Sequence, residues 1–546
     1  MMAAAMTPLS RLPLTLLTAV LVVAFLAGPA AANDARITGE RRISERVIEL
    51  TIATSAFAGP TKVHVNLPVG YDAAPSRRWP VTYVTAGTMN TYATFNNFLK
   101  GEKLARAHPA VIVSPNGNSG YWSDWYNAGA FGPPKYETYV IEQLIPLIDA
   151  RFRTRADRSQ RAIFGISMGG YGATMLAAHH PDLFAAAATL SGAVDSNLEP
   201  NGSILSASST FDGAPADAIY GPRAQQEVRW RGHNPTDLAE NLRDLDLQVR
   251  TANGVPNPGI GENTASADTV SCAVELGVWQ ASVSFHQRLD ALRMPHTWKD
   301  YGAGCHTVAN FQRETLDTLA RFERVFADPP AAPTRFEHRS IAPRFRVWGW
   351  DVAADPARAL EFMRLDAAGD LRLALTGSGT TAVTSPATFR GLRAVDVDTP
   401  AGRRVTRPDR AGRIRFTVPL GAPHRAQQFT ASARAAGQDR PGYFTRASVR
   451  LAPHARVLVA TRRRKAALKV CLRGIGGAVP KARLQVLRRG GRAVTRSRAV
   501  RVGEKRRCRT VARGRIKRER YTVVVRARDG YGHALSERKA VPARRR

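Results

Sequence analysis

Cysteine is scarce in this chain, with four residues in 546, at positions 272, 305, 471 and 508. None falls in a C-x-x-C pair, which excludes the commonest zinc-binding and dithiol arrangements. Long apolar runs are scarcer still. Beyond the N-terminus no stretch approaches the ~20 apolar residues a membrane-spanning helix needs. Acidic residues are outnumbered, 44 Asp and Glu against 79 Lys and Arg, for a formal charge of +35. Such a charge invites a nucleic-acid reading. Zinc-finger spacing, a helix-turn-helix pattern and RNA-binding aromatic motifs are all missing, so nucleic acid is not the expected partner. No short-period repeat is present, which argues against a solenoid.

The charge is concentrated at one end. Residues 441–546 hold 33 Lys and Arg against 4 Asp and Glu, a net of +29. That segment is expected to meet anionic cell-wall or membrane polymers, or else to carry its arginines on solvated strand faces. The one long apolar run, "PLTLLTAVLVVAFLAG", follows Arg11 and ends at Ala30-Ala31-Ala32. This pattern predicts a signal peptide over residues 1–32, and therefore a secreted, extracellular or wall-associated protein. An even number of cysteines in an oxidising setting predicts disulfides. The simplest pairing is local, Cys272 with Cys305 and Cys471 with Cys508, although two other pairings remain open. Each such loop contributes about 3–4 kcal/mol in the chain-entropy account.

Between residues 36 and 328 strand-like and helix-like segments alternate. "RVIELTIAT", "TKVHVNLP", "WPVTYVTAG" and "PAVIVSPNG" read as strands; "KYETYVIEQLIPLIDARF" and "TVANFQRETLDTLARFERVF" have helical spacing. The alternation predicts an α/β fold with a mainly parallel sheet and helices on both faces. "DPPAAPTR" reads as a linker. Short strands divided by turn residues then predict two all-β, immunoglobulin-like sandwich modules, over 335–422 and 440–546.

The stretch "RAIFGISMGGYGATMLAAHHPDLF" has one serine among glycines, between a buried-strand run and a helix. Gly165-x-Ser167-x-Gly169 fits the nucleophile-elbow pattern of α/β-hydrolases, in which small neighbours allow a strained turn to expose the serine. A serine hydroxyl is a poor nucleophile near neutral pH and needs a histidine and a carboxylate, which follow it in chain order. Among the later histidines, His179 and His180 end the elbow's helix, His286 reads as packing, and His296 sits in a strand-like run. His306 lies in the Gly-rich loop "DYGAGCHTVANF" before the last helix and is the expected base. Glu262, Asp268 and Glu275 are the candidate acids. Pairing Cys272 with Cys305 would bring Glu275 to the histidine loop and favours it. The oxyanion donors are expected at Met168 N–H and in the loop after the third strand, at Gly87-Thr88.

Here the chain resembles the esterase D superfamily and, within it, the secreted antigen 85 mycolyltransferases. The blocks are "YVTAGT", "VSPNGNSGYWSDWYN", "KYETYVIEQLIPLID", "GISMGGYGATMLAAHHPDLFAAAATLSG", "ELGVWQASVSFHQRLDAL" and "CHT", over about residues 40–326. The resemblance implies a triad of Ser167, Glu275 and His306, with Met168 and Thr88 as oxyanion donors. Gly87 and Trp125 are expected to contact substrate; no metal and no cofactor are expected. Two departures stand out. Ala86-Gly87-Thr88-Met89 lacks the arginine that mycolyltransferases have in this loop, and Thr307-Val308 follows the histidine in place of Ser-Trp. They favour a general carboxylic-ester hydrolase over a sugar acyltransferase. Acyl transfer to a sugar or lipid hydroxyl is the alternative, and a non-catalytic wall-binding protein a second one.

Overall fold

The computed structural model describes residues 34–127, 134–262, 269–464, 467–475, 481–488, 491–503, 505–512, 517–528 and 534–543. The predicted signal peptide and Asp268 lie outside these.

Nine strands form the first sheet: β1 (Arg36–Arg42), β2 (Val47–Ala53), β3 (Thr61–Asn66), β4 (Val81–Thr85), β5 (Val111–Pro115), β6 (Arg161–Ile166), β7 (Ala186–Leu190), β8 (Asp246–Thr251) and β9 (Thr297–Asp300). Their order is β1-β2-β3-β5-β4-β6-β7-β8-β9. The first three pairings are antiparallel, while β5 through β9 run parallel. Buried on both faces, the central strands read as continuous apolar runs, as "RAIFGI" in β6 does. Two apolar clusters, one on each side, hold the layers together. The first includes Trp122, Tyr171 and Phe285; the second includes Phe164, Phe311 and Phe322. This is the α/β-hydrolase arrangement expected.

Two antiparallel sheets follow. β10 (Arg335–Ser340), β13 (Met363–Ala368), β14 (Arg372–Gly377), β16 (Val395–Thr399), β17 (Gly402–Thr406) and β19 (Thr445–Pro453) make a sheet ordered β10-β13-β14-β19-β16-β17. It faces a second sheet of β11 (Arg344–Val347), β12 (Trp350–Ala353), β15 (Thr380–Thr384) and β18 (Arg415–Pro419) across a core of Trp350, Leu365, Leu375, Val418 and Leu451. The boundary differs from the expected one. β19 lies within the predicted 440–546 module, yet it pairs with β14 and β16 in the middle sandwich. Arg446 and Arg450 give β19 the composition of the basic tail, while Ala447, Val449 and Leu451 face the middle core. Composition and sheet membership therefore change at different places.

The last sandwich packs β20 (Arg456–Arg464), β21 (Ala467–Ile475) and β24 (Arg507–Ala512) on β22 (Lys481–Arg488), β23 (Arg498–Val500), β25 (Tyr521–Arg528) and β26 (Ala534–Val541). Cys471 and Cys508 are register partners on β21 and β24 and form a disulfide.

"DPPAAPTR" does not leave the middle sandwich free of the α/β portion. Ile341 and Phe362 are buried in the apolar cluster of Tyr220 and Trp230. Asn241 exchanges two hydrogen bonds with the Arg339 backbone at 2.9 Å each, and Trp348 N–H donates to Asp182 at 2.9 Å.

Two glycines decide how the elbow packs. A Cβ at Gly165 would lie 2.1 Å from Gly169 O and from Thr85 Oγ1, and one at Gly169 would lie 2.0 Å from Thr85 O. Backbone cannot yield as a flexible side chain does. Gly169→Ala is therefore expected to cost more than the ~1–3 kcal/mol of ordinary overpacking. Gly59, with nothing within 4 Å of its Cβ position, is the control. Thermal melts should show a collapse of Tm for Gly169→Ala and little change for Gly59→Ala.

Candidate active site

β6 ends at Ile166, and the helix Met168–His179 begins two residues later. Ser167 makes the turn between them with φ 59° and ψ −125°. Positive φ is costly for a residue with a Cβ, and here a strained turn holds the serine at the strands' carboxyl edge. Its N–H donates to Leu190 O at 3.0 Å, which fixes the turn to the end of β7. The helix behind it is buried from Met168 through Ala178, so its N-terminal dipole lies in a medium of low polarity.

The loop after β4 lies against this turn. A Cβ on Gly87 would sit 3.4 Å from the Ser167 Cβ. Among the described residues, neither Met168 N–H nor Thr88 N–H has a hydrogen-bond acceptor. The loop is held by Trp122, which donates from Nε1 to Ala86 O at 3.1 Å. The same indole packs where side chains on Gly117 and Gly172 would stand. Trp125, expected at the substrate, is 8% exposed, and its indole Nε1–H donates to Gly120 O at 3.2 Å. Trp122 was not singled out in the sequence. Of the two glycines it packs against, Gly117 lies in its own loop and Gly172 on the helix after the serine.

The acid and the histidine arrive on separate elements. Glu275 is on the long helix Thr269–Ala291 and is wholly buried. Its Oε2 accepts from His306 Nδ1 at 2.7 Å, which leaves Nε2 of the ring for other partners. Oε1 accepts from Ala252 N–H at 2.9 Å and from the Ser191 hydroxyl at 2.6 Å. The Cys272–Cys305 disulfide, with Cα atoms 4.3 Å apart, ties the helix's first turn to the residue before His306. Ser167 Oγ has no hydrogen bond to His306 among the described residues. The two halves meet through the end of β7, since Leu190 O holds Ser167 and the adjacent Ser191 bonds Glu275.

Glu262, one of the candidate acids, has a different task. Its carboxylate accepts from Cys305 N–H at 3.0 Å and from the Thr307 hydroxyl at 2.6 Å, and so clamps both neighbours of His306. Thr307 Oγ1 also caps the last helix of the α/β portion, Val308–Ala327, by accepting from Asn310 N–H.

The other histidines are committed elsewhere. His179 Nδ1 and His180 Nε2 both meet Glu137, at 2.9 and 2.8 Å, and His179 Nε2 faces Gly232 O at 2.8 Å. Glu137 is part-buried; burial alone would raise its pKa, but the paired histidines hold it well below the usual carboxylate range. His286 Nδ1 faces His296 Nε2 at 2.7 Å near Asp290, the one group of metal-type donors found among the described residues. A single shared proton satisfies that imidazole pair. It lies eleven residues along the helix from Glu275, roughly 16 Å at the helical rise.

The MPT51 antigen of Mycobacterium leprae (strain TN) is 30% identical over 211 residues, which cover 35% of this chain and 68% of that protein. The chain belongs to the esterase/antigen 85-like family. The family model described as "Putative esterase" matches residues 54–322. Esterase Rv1288 of Mycobacterium tuberculosis (strain ATCC 25618 / H37Rv) is 29% identical over 267 residues, 48% of this chain and 56% of that protein. Diacylglycerol acyltransferase/mycolyltransferase Ag85B of M. leprae (strain TN) is 32% identical over 162 residues, 28% of this chain and 48% of that protein. The chain thus spans about half the length of Esterase Rv1288.

Replacing Glu262 by Ala removes the acceptor of Cys305 N–H and of the Thr307 hydroxyl. Amide exchange at residues 305–307 should rise while exchange in β6 and β7 stays slow. Unchanged protection of the loop would mean that the disulfide alone holds it.

Proposed function

We propose that the protein is a serine-triad carboxylic-ester hydrolase working through an acyl-enzyme. The observation that supports this most is the His306–Glu275 hydrogen bond, 2.7 Å long with Glu275 wholly buried, on the sheet edge that also bears the strained Ser167. His306 Nε2 takes the Ser167 proton as Oγ bonds to the acyl carbon. The carbonyl oxygen gains charge, and the Met168 and Thr88 N–H groups stabilise it. The imidazolium, steadied by Glu275, then gives its proton to the departing alkoxide. Water enters, His306 takes its proton, and the acid leaves as Ser167 regains its hydrogen. These steps use side chains and backbone alone.

Transfer to another hydroxyl is the second reading, favoured by the name of the Ag85B relative. Two features speak for water as the acceptor. Met89, 67% exposed, stands in the loop where the mycolyltransferases have an arginine, an apolar side chain in place of a cation. Thr307, beside His306, is spent on Glu262 and the helix cap. The two disulfides support an oxidising, extracytoplasmic setting. Among the described residues no helix is long and apolar enough to cross a membrane.

Ser167→Ala should abolish hydrolysis of a short-chain chromogenic ester with Tm unchanged. Glu275→Gln should lower kcat by about 10²–10⁴-fold, as removal of the orienting charge does in serine proteases. Asp268→Asn should be mild. Wild-type activity in Ser167→Ala would falsify the triad and leave a non-catalytic binding protein as the reading. Adding sugar and glycerol acceptors to the assay separates hydrolysis from transfer, since only transfer yields a new ester.

The basic sandwich is proposed to retain the enzyme on anionic wall or membrane polymers. Removal of residues 456–546 leaves β19 in place. It should keep soluble-ester turnover and abolish a retention that weakens steeply with salt, because screening cuts the reach of exposed charge to about 8 Å. Retention that survives the removal assigns binding to another surface.

A further inference from the structure

Behind Glu275 lies a second wholly buried carboxyl group, Glu314 of the helix Val308–Ala327, for which the hydrolytic scheme has no use. The two glutamates share one hydroxyl. Ser191 Oγ is 2.6 Å from Glu275 Oε1, 3.1 Å from Glu314 Oε1 and 3.3 Å from Glu314 Oε2. A hydroxyl has one proton and therefore donates to one carboxylate only. Ser191 is held for this with φ 44°, wholly buried, its N–H on Arg250 O at 2.8 Å.

Counting donors shows which glutamate is the anion. Glu275 faces His306 Nδ1, Ala252 N–H and the Ser191 hydroxyl, with the Thr251 hydroxyl 3.4 Å away. Among the described residues Glu314 has only Ser191 as a hydrogen-bond partner. The neighbouring cations are spent on other groups. Arg313 donates to Asn310 Oδ1 and Ala303 O, and Arg250 to Gln248, Tyr301 and Asp317. Two buried carboxylates around one hydroxyl would leave a charge without a donor, which is far more costly than leaving one protonated. If the proton sits on Glu314, every group is paired: Glu314 O–H donates to Ser191 Oγ, and Ser191 O–H donates to Glu275. Asn310 Nδ2, 3.3 Å from Ser191 Oγ, adds a second donor to that oxygen.

We propose that Glu314 is a positioning residue, a carboxylic acid kept neutral that aims the Ser191 hydroxyl at Glu275 and so holds Glu275 as the anion facing His306. The proposal rests on the triad reading. Burial first, and then the Glu275 charge, push the Glu314 pKa well above the usual carboxylate range; Ser191, Arg313 and Arg250 oppose this less strongly. No proton crosses the relay in turnover. Glu314 keeps its own, and Ser191 keeps its bond to Glu275 while His306 cycles between imidazole and imidazolium.

The test uses Glu314→Gln, Glu314→Ala and Ser191→Ala in the full chain. The Gln amide still donates to Ser191 and is neutral, so its kcat should stay within about threefold of wild type. Glu314→Ala and Ser191→Ala should each lower kcat tenfold or more, with KM within twofold. Stability gives a readout that packing alone would not move. A carboxyl group whose pKa is raised on folding loses stability as pH climbs from the ordinary glutamate range towards its folded value. The Tm of Glu314→Gln should therefore gain on wild type between pH 5 and pH 8. Parallel Tm curves would mean that Glu314 is ionised when folded, and would overturn the proposal. A Glu314→Gln loss as large as that of Glu314→Ala would do the same, and so would full kcat in a folded Glu314→Ala. If wild type cleaves no ester, the triad reading fails, while the Tm curves still decide where the proton sits.

Discussion

The close approach of β4 to the serine turn is the contact on which the site depends. Thr85 Oγ1 lies 2.7 Å from Gly169 O and 3.2 Å from Phe164 O, so one hydroxyl spans the strand before the serine and the helix after it. This closeness is possible only because Gly165 and Gly169 carry no side chain there. It brings the loop of Gly87 and Thr88 onto Ser167, with a Cβ position at Gly87 3.4 Å from the Ser167 Cβ. Trp122 completes the contact from outside, lying where a Gly172 side chain would be and holding Ala86 O. Strain at Ser167 is thus supported by packing on three sides.

The other half of the site is organised by covalent and ionic restraint. A Gly-rich loop would not hold a histidine to a fraction of an ångström by itself. His306 is bracketed by a disulfide on one side and a threonine on the other, and Glu262 binds both flanking residues. Its ring also stands edge-on to Phe311, with centroids 4.8 Å apart. Glu275 is placed from a different direction, on a helix whose burial makes the carboxylate dependent on its donors. Leu190 and Ser191, adjacent at the end of β7, join the two halves.

Much of this was legible in the sequence because it rests on local rules. The elbow, the strand runs and the last helix follow from glycine spacing and apolar periodicity. The local disulfide pairing could be inferred from spacing and compartment, and it pointed to Glu275. What was not legible depends on contacts between distant segments. Glu262 and Glu275 both looked like loop carboxylates until the fold placed one as a clamp and the other beneath the imidazole. Trp125 and Trp122 stand three residues apart, and only the approach of Gly172 distinguishes them. Glu314 fell in a helix whose periodicity gives its burial but not its partner. The end of the middle sandwich was misplaced because charge content says nothing about which sheet a strand joins.

That misplaced strand has a consequence for how the molecule is made. β19 lies between β14 and β16, and the β16–β17 hairpin reaches the rest of its sheet only through it. During synthesis the α/β portion has all its strands by residue 300, but the six-stranded sheet must wait until residue 453 has left the ribosome. Until then one side of β14 and one side of β16 are unpaired edges, the kind of surface that invites pairing with another chain. The strand that closes them carries Arg446 and Arg450, which pair in the finished sheet with Asp366 of β13 and Asp398 of β16. The first arginines of the basic region therefore serve the sheet that precedes it.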